Sequence, residues 1–168
     1  FTDDNLARFC EKHVAVHGTY EFIKLVDIEA AVLQYLQGLD IDPQIHLGAG
    51  PCLDQVKWSE GVFTYKKSAD KNTRVAVSEA FAAVAETGTL VMCSGSDLLP
   101  SHNFLPDDHI VIVDCDRIVR YQEDVWPLLR TGDHFPQRAI NLITGPSKTG
   151  DIEQTIQYGA HGPRRLHV

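Results

Sequence analysis

Residues 109–115 form a near-continuous β-branched run, from His109 through Ile110, Val111, Ile112 and Val113 to Cys115. A strand apolar on both faces must be covered on both faces, which is the condition of a central strand in a parallel sheet. Shorter runs of similar character stand at 44–47, 75–77, 89–93 and 139–144. Between them lie segments with helical spacing. Leu6, Phe9, Cys10, His13 and Val14 mark one helix over 3–16, and Ile28, Ala31, Val32, Tyr35 and Leu36 a second, capped by Asp27 and stopped by Gly38. Such alternation predicts one α/β domain over 1–168, a mostly parallel sheet flanked by helices. The helical segment at 1–38 is the less sharply defined part.

Further elements follow from the same pattern. Residues 19–23 alternate as a half-buried strand, and 62–65 read as another. Ser78 caps a short helix through Val84, Gly88 breaks it, and Glu86 sits where that helix hands over to the strand at 89–93. Residues 121–130 read as a helix that must start or kink at Pro127. Residues 151–158 form the helix after strand 139–144, and 166–168 open a last strand. The sequence begins at Phe1 without Met and stops at Val168 inside an apolar run, as a chain trimmed at both ends would.

Composition narrows the partners. Fifteen basic against 23 acidic residues give a net charge of −8, and the basic residues cluster only in pairs such as Lys66-Lys67. That excludes nucleic acid and anionic membrane as expected partners. No apolar run is long enough to span a bilayer, and the acidic opening Phe1-Thr2-Asp3-Asp4 does not resemble a signal peptide. The four cysteines, Cys10, Cys52, Cys93 and Cys115, have no close spacing of the kind a zinc site or iron–sulfur cluster needs. We read them as core thiols of a cytoplasmic protein, and expect neither a metal site nor a cofactor.

The candidate site lies in the last quarter. Gly145-Pro146-Ser147-Lys148-Thr149-Gly150 follows an apolar run and leads toward a helix. Backbone N–H groups at such a helix start, two hydroxyls and one lysine would suit a carboxylate or phosphate. The alternative is a well-capped helix, with Asp151 and Glu153 complementing the dipole. Glu86 could serve as general base or nucleophile, or only bond local amides. His161 could titrate near neutrality or simply be solvated. By the crevice rule for open sheets, Glu86, Ser94, Gly95, Ser147, Lys148, Thr149 and His161 are expected to share a cleft at the strand carboxyl ends, with Thr87, Gly145 and Gly162 as further ligand-binding candidates.

Ala85-Glu86-Thr87-Gly88-Thr89-Leu90-Val91, Ser94-Gly95, Leu105-Pro106 with His109, then 145–153 and Gly159-x-His161-Gly162-Pro163, together resemble the LUD (lactate-utilisation) domain family. Within it the chain is similar to the stand-alone C-type subunits of bacterial L-lactate oxidation systems. The match is dense from about Val75 onward. It departs at Gly150, where Ala is usual, and after Ser94-Gly95, where proline is usual. The resemblance implies a fold related to ribose-phosphate isomerases, CoA transferases and formyltetrahydrofolate cyclo-ligases. It also implies a part in oxidising lactate to pyruvate beside iron–sulfur partner subunits. Two roles follow as expectations: an accessory subunit binding a small carboxylate or phosphate-bearing ligand, or an isomerase- or CoA-transferase-like enzyme using Glu86.

Overall fold

The computed structural model describes residues 3–95, 99–131, 137–150 and 157–168. Its first helix, α1 (Asp3–Ala15), and second, α2 (Ile28–Gly38), stand where the apolar spacing predicts them. Strands β1 (Gln44–Leu47), β2 (Phe63–Tyr65) and β3 (Val75–Glu79) follow. Then come β4 (Ala82–Val84), β5 (Thr89–Cys93), β6 (Asp108–Ile112) and β7 (Ile118–Val119). Helix α3 (Val125–Thr131) precedes β8 (Ile140–Ile143), β9 (Lys148–Thr149), β10 (Gln157–Tyr158) and β11 (Arg165–His167).

The central sheet has five strands in the order β11-β6-β3-β1-β2, every pairing parallel. Alternation along its strands separates two faces. Ile45, Leu47, Val75, Val77 and Ile110 pack with Ile28, Val32 and Leu36 of α2. Val111 and Leu166 face the other way, toward Phe9 and Cys10 of α1 and the inner side of a second sheet. The second sheet runs β7-β4-β5-β8 and is mixed: β5 is antiparallel to both its neighbours. Ala82, Val84 and Val91 on its outer face pack under Val125 and Leu129 of α3. Helices thus flank the sheets on both sides, as the sequence pattern requires.

Four local expectations need correction. The helix expected from Ser78 to Val84 is absent: β3 continues through Glu79 and β4 takes Ala82–Val84. Alanine favours helix in isolation, but Ala82, Ala83 and Val84 are each covered on both sides and wholly buried, so tertiary packing overrides propensity. The segment at 19–23 makes only one parallel bridge, Thr19 to His167, at the outer edge of β11. The helix expected over 121–130 begins as a short 3₁₀ turn, Gln122–Asp124, and continues as α3 with Pro127 in its first turn, where no N–H is missed. For the helix expected over 151–158, residues 151–156 lie outside the described residues. Gln157–Tyr158 are not helical; they pair antiparallel with Lys148–Thr149.

Candidate functional site

β4 and β5 form a hairpin, and its turn carries Glu86, Thr87 and Gly88. Glu86 therefore does not sit between a helix and a strand. It stands exposed on a turn pinned by its own N–H to the Arg120 carbonyl, 3.1 Å. Gly88 closes the turn at φ +69°, a conformation that disfavours any side chain. Its carbonyl lies 3.4 Å from Nδ1 of His13, so the imidazole must donate there. His13 is wholly buried, stacked on Phe9, and burial holds its pKa below the ordinary value.

Leu90 lies opposite Ile143, so the start of β5 meets the end of β8. A line of hydroxyls crosses that junction. Thr87 Oγ1 is 2.6 Å from Thr89 Oγ1, which is 2.7 Å from Thr144 Oγ1. The next residue, Gly145, turns the chain against the Val16 carbonyl at the end of α1. Ser147 then donates its N–H to the Pro163 carbonyl, 2.8 Å, and accepts the Gly159 N–H, 3.0 Å. The two glycine-rich segments, 145–149 and 159–163, are thereby clasped, with Gly162 against the Ser147 side chain. Lys148 and His161 are exposed on them.

Glu86, Thr87, Gly145, Ser147, Lys148, Thr149, His161 and Gly162 are accordingly grouped around one region. Ser94 and Gly95 are not. They follow the far end of β5, five residues along, roughly 17 Å away at the rise of an antiparallel strand. Ser94 is buried, and its Oγ accepts the Ala139 N–H at 2.8 Å, locking β5 to the start of β8. The place of the grouping also differs from the expectation. Arg164 donates its N–H to Asp107, just before β6, so 159–163 lie by the amino ends of β6 and β11. The turn follows β8 of the second sheet, and the crevice rule for parallel strands does not govern it. With Lys148–Thr149 in a strand, those two residues are not themselves a helix start.

The carboxyl ends of the parallel strands hold a different set. Gly48, Ser78, Glu79, Cys93, His102 and Asn103 line a small cavity there. Glu79 Oε2 accepts the backbone N–H groups of Cys52 and Leu53, at 2.8 and 3.1 Å. Sequence reasoning missed Glu79 because it placed a helix at Ser78. It missed Thr89 and Thr144 because the pairing of β5 with β8 is not written in either strand.

A family model described as LUD domain matches residues 6–168. The chain belongs to the LUD domain family. Among its relatives, lactate utilization protein C of Bacillus subtilis is 35% identical over 108 residues, covering 62% of this chain and 44% of that protein. Lactate utilization protein C of Macrococcus caseolyticus is 27% identical over 166 residues, covering 96% of this chain and 66% of that protein. This LUD chain thus spans about half to two thirds of those relatives' length. The crystal structure of a DUF162 family protein from Deinococcus radiodurans superposes with a TM-score of 0.69 at 19% identity, covering 98% of this chain and 94% of that one. That likeness is one of fold. No described helix of the LUD chain is long and apolar enough to cross a membrane.

Proposed function

We propose that this LUD domain acts in lactate utilisation, as an accessory subunit that binds a small carboxylate or phosphate-bearing ligand beside iron–sulfur partner subunits. The observation that carries the reading is the clasp of 145–149 against 159–163 at the end of the Thr87–Thr89–Thr144 hydroxyl line. It gathers hydroxyls, backbone turns, a lysine and a histidine on one surface, and one relative named for lactate utilisation aligns over 96% of this chain. An anion there relies on Lys148 and on neutral donors. Electron transfer belongs, in this reading, to the partners, because carrying electrons needs a redox group.

Calorimetry with lactate, pyruvate and phosphate on wild type and Lys148→Ala tests the ligand assignment. One exposed ion pair is worth about 0.2–1 kcal/mol, so the variant should bind roughly 1.4- to fivefold more weakly. Lys148 is exposed and the fold should be unchanged. Equal affinities would mean the clasp is structural only.

A second reading is favoured by the exposure of Glu86 on the same turn as Thr87. There Glu86 acts as base or nucleophile on a small molecule. Turnover by the isolated chain, or a covalent adduct on Glu86, would select it; activity appearing only with cluster-bearing partners would select the first.

A further inference from the structure

Three histidines from separate segments meet on the face of the central sheet that lies away from α2. His46 of β1 and His109 of β6 occupy one cross-strand row, each in register with Ala76 of β3 between them. Ala76, whose side chain is a single methyl, stands between the two rings. His102, from the Pro100–Asn103 turn, meets the His46 ring edge-on with centroids 6.0 Å apart. The three are 9%, 1% and 0% exposed in the order His46, His102, His109.

Each imidazole uses one nitrogen. Nε2 of His102 lies 2.9 Å from the Lys67 carbonyl, Nε2 of His109 3.1 Å from Ser78 Oγ, and Nε2 of His46 3.4 Å from Thr73 Oγ1. In all three, Nδ1 is buried with no partner. A carbonyl only accepts, so His102 carries its hydrogen on Nε2 and leaves a bare lone pair at Nδ1. A proton added at that atom makes a cation whose new N–H meets no acceptor, and the second and third rings stand close enough to repel it.

The surroundings do little to compensate. On β2, the Tyr65 ring contacts His46, and the Lys67 ammonium lies over that ring, adding positive charge. Glu79, at the end of β3, is the carboxylate that shares the small cavity with His102, and one of its oxygens already accepts two backbone N–H groups. Cys93 of β5 lines the same cavity as a thiol, pushed up to about 11 by burial. Asp108, beside His109, projects to the opposite face, where Tyr35 and Arg165 hold it. Burial, and after it the charge of His102, pushes His109 down, and burial also lowers His102, opposed in part by its bond to the Lys67 carbonyl and helped by the charge of His46.

We propose that His102 and His109, packed with the His46 ring, form an acid-sensitive latch: neutral, they seat the Pro100–Asn103 turn on the sheet, and protonated they release it. Release uncovers the crevice lined by Gly48, Ser78, Glu79 and Cys93, so access to the strand carboxyl ends is set by pH. It is a device separate from the clasp that carries Lys148.

Hydrogen exchange followed by mass spectrometry on the intact chain, corrected for intrinsic pH effects, tests this. The amides of His102, Phe104 and Leu105 bond Leu99 and Ser101 carbonyls and report on the turn. Between about pH 7.5 and pH 5 their protection should fall about tenfold or more, while α2 stays protected. In the variant His102→Gln with His109→Gln, each amide N–H can still serve Lys67 and Ser78, and protection should be flat with pH. A wild-type turn indifferent to pH, or a variant that loses protection equally, would overturn the latch. Should the double variant not fold, NMR titration of the wild-type histidines decides instead. His102 or His109 must protonate over the same pH interval in which the turn opens, and protonation with the amides unmoved would refute the proposal.

Discussion

Replacing Gly88 by Ala should destabilise the protein well beyond an ordinary surface substitution, for two separable reasons. The residue sits at φ +69°, where a Cβ crowds the following carbonyl at a cost of roughly 1–2 kcal/mol. The added methyl would also lie 2.5 Å from the backbone nitrogen of His13 and 2.7 Å from the carbonyl carbon of Lys12. Those are main-chain atoms of α1 and cannot swing aside, so the helix or the turn must shift, typically costing about 1–3 kcal/mol more. The sum, about 2–5 kcal/mol, is a large part of the roughly 5–15 kcal/mol that holds a domain folded. It corresponds to a melting temperature lower by roughly 4–20 °C for a chain of this size. Gly61→Ala supplies the control. Gly61 has φ +100° but nothing within 4 Å of the added methyl, so it carries backbone strain alone. Urea denaturation of both variants, with m-values checked for constancy, isolates the contact with α1 as their difference. If Gly88→Ala is no more destabilised than Gly61→Ala, α1 is not wedged against the Glu86–Gly88 turn and the positioning role of that helix is wrong.

Asp108→Asn should cost about 3 kcal/mol by urea denaturation, the low end for breaking a buried ion pair. The carboxylate is wholly buried between Arg165 and, at 3.4 Å, Arg74, but both arginines are more than a third exposed and can turn to water. The same change should bring the Tyr35 phenol down from about 12, since Asp108 is the largest contributor to its shift after burial. Folding stability should also fall with acid. His13, His102 and His109 are held neutral in the fold, His109 down to about 3 by burial, whereas an unfolded histidine protonates near 6.5. The unfolded chain therefore binds more protons, and the histidine contribution is complete above pH 6.5 and is lost progressively as pH falls toward 3. Urea midpoints that stay level from pH 7 to pH 5 would contradict that sign.

The strands of the central sheet were legible because their burial is written in each strand by itself. Val75 and Val77, Ile110 and Ile112, and Ile45 and Leu47 are β-branched or aliphatic in alternate positions, and the intervening residues are also largely buried. Partners and directions were not legible. The run at β8 looks like those strands, yet it pairs antiparallel with β5 in another sheet. Alanine at 82 and 83 hid β4 in the same way, since a small residue between two packed layers satisfies a strand as well as a helix.

The glycine-rich motifs mark a real junction, but sequence adjacency assigned it to the wrong end of the wrong sheet. Crevice reasoning requires knowing that a run belongs to the parallel sheet, and β8 does not. Once β5 and β8 are paired, Thr89 falls beside Thr144 and the motifs at 85–91 and 145–149 become one place, while Ser94 is carried to the other end. The histidine row follows the same logic. His46 and His109 are separated by 63 positions in the chain and stand one strand apart on either side of Ala76. Neither looks unusual alone: each is a polar residue inside an apolar run. Their meaning depends on cross-strand register, which no periodicity within a single strand can carry. Residues whose chemistry depends on a neighbour across the sheet are therefore where a reading of this sequence stops and where substitutions are most informative.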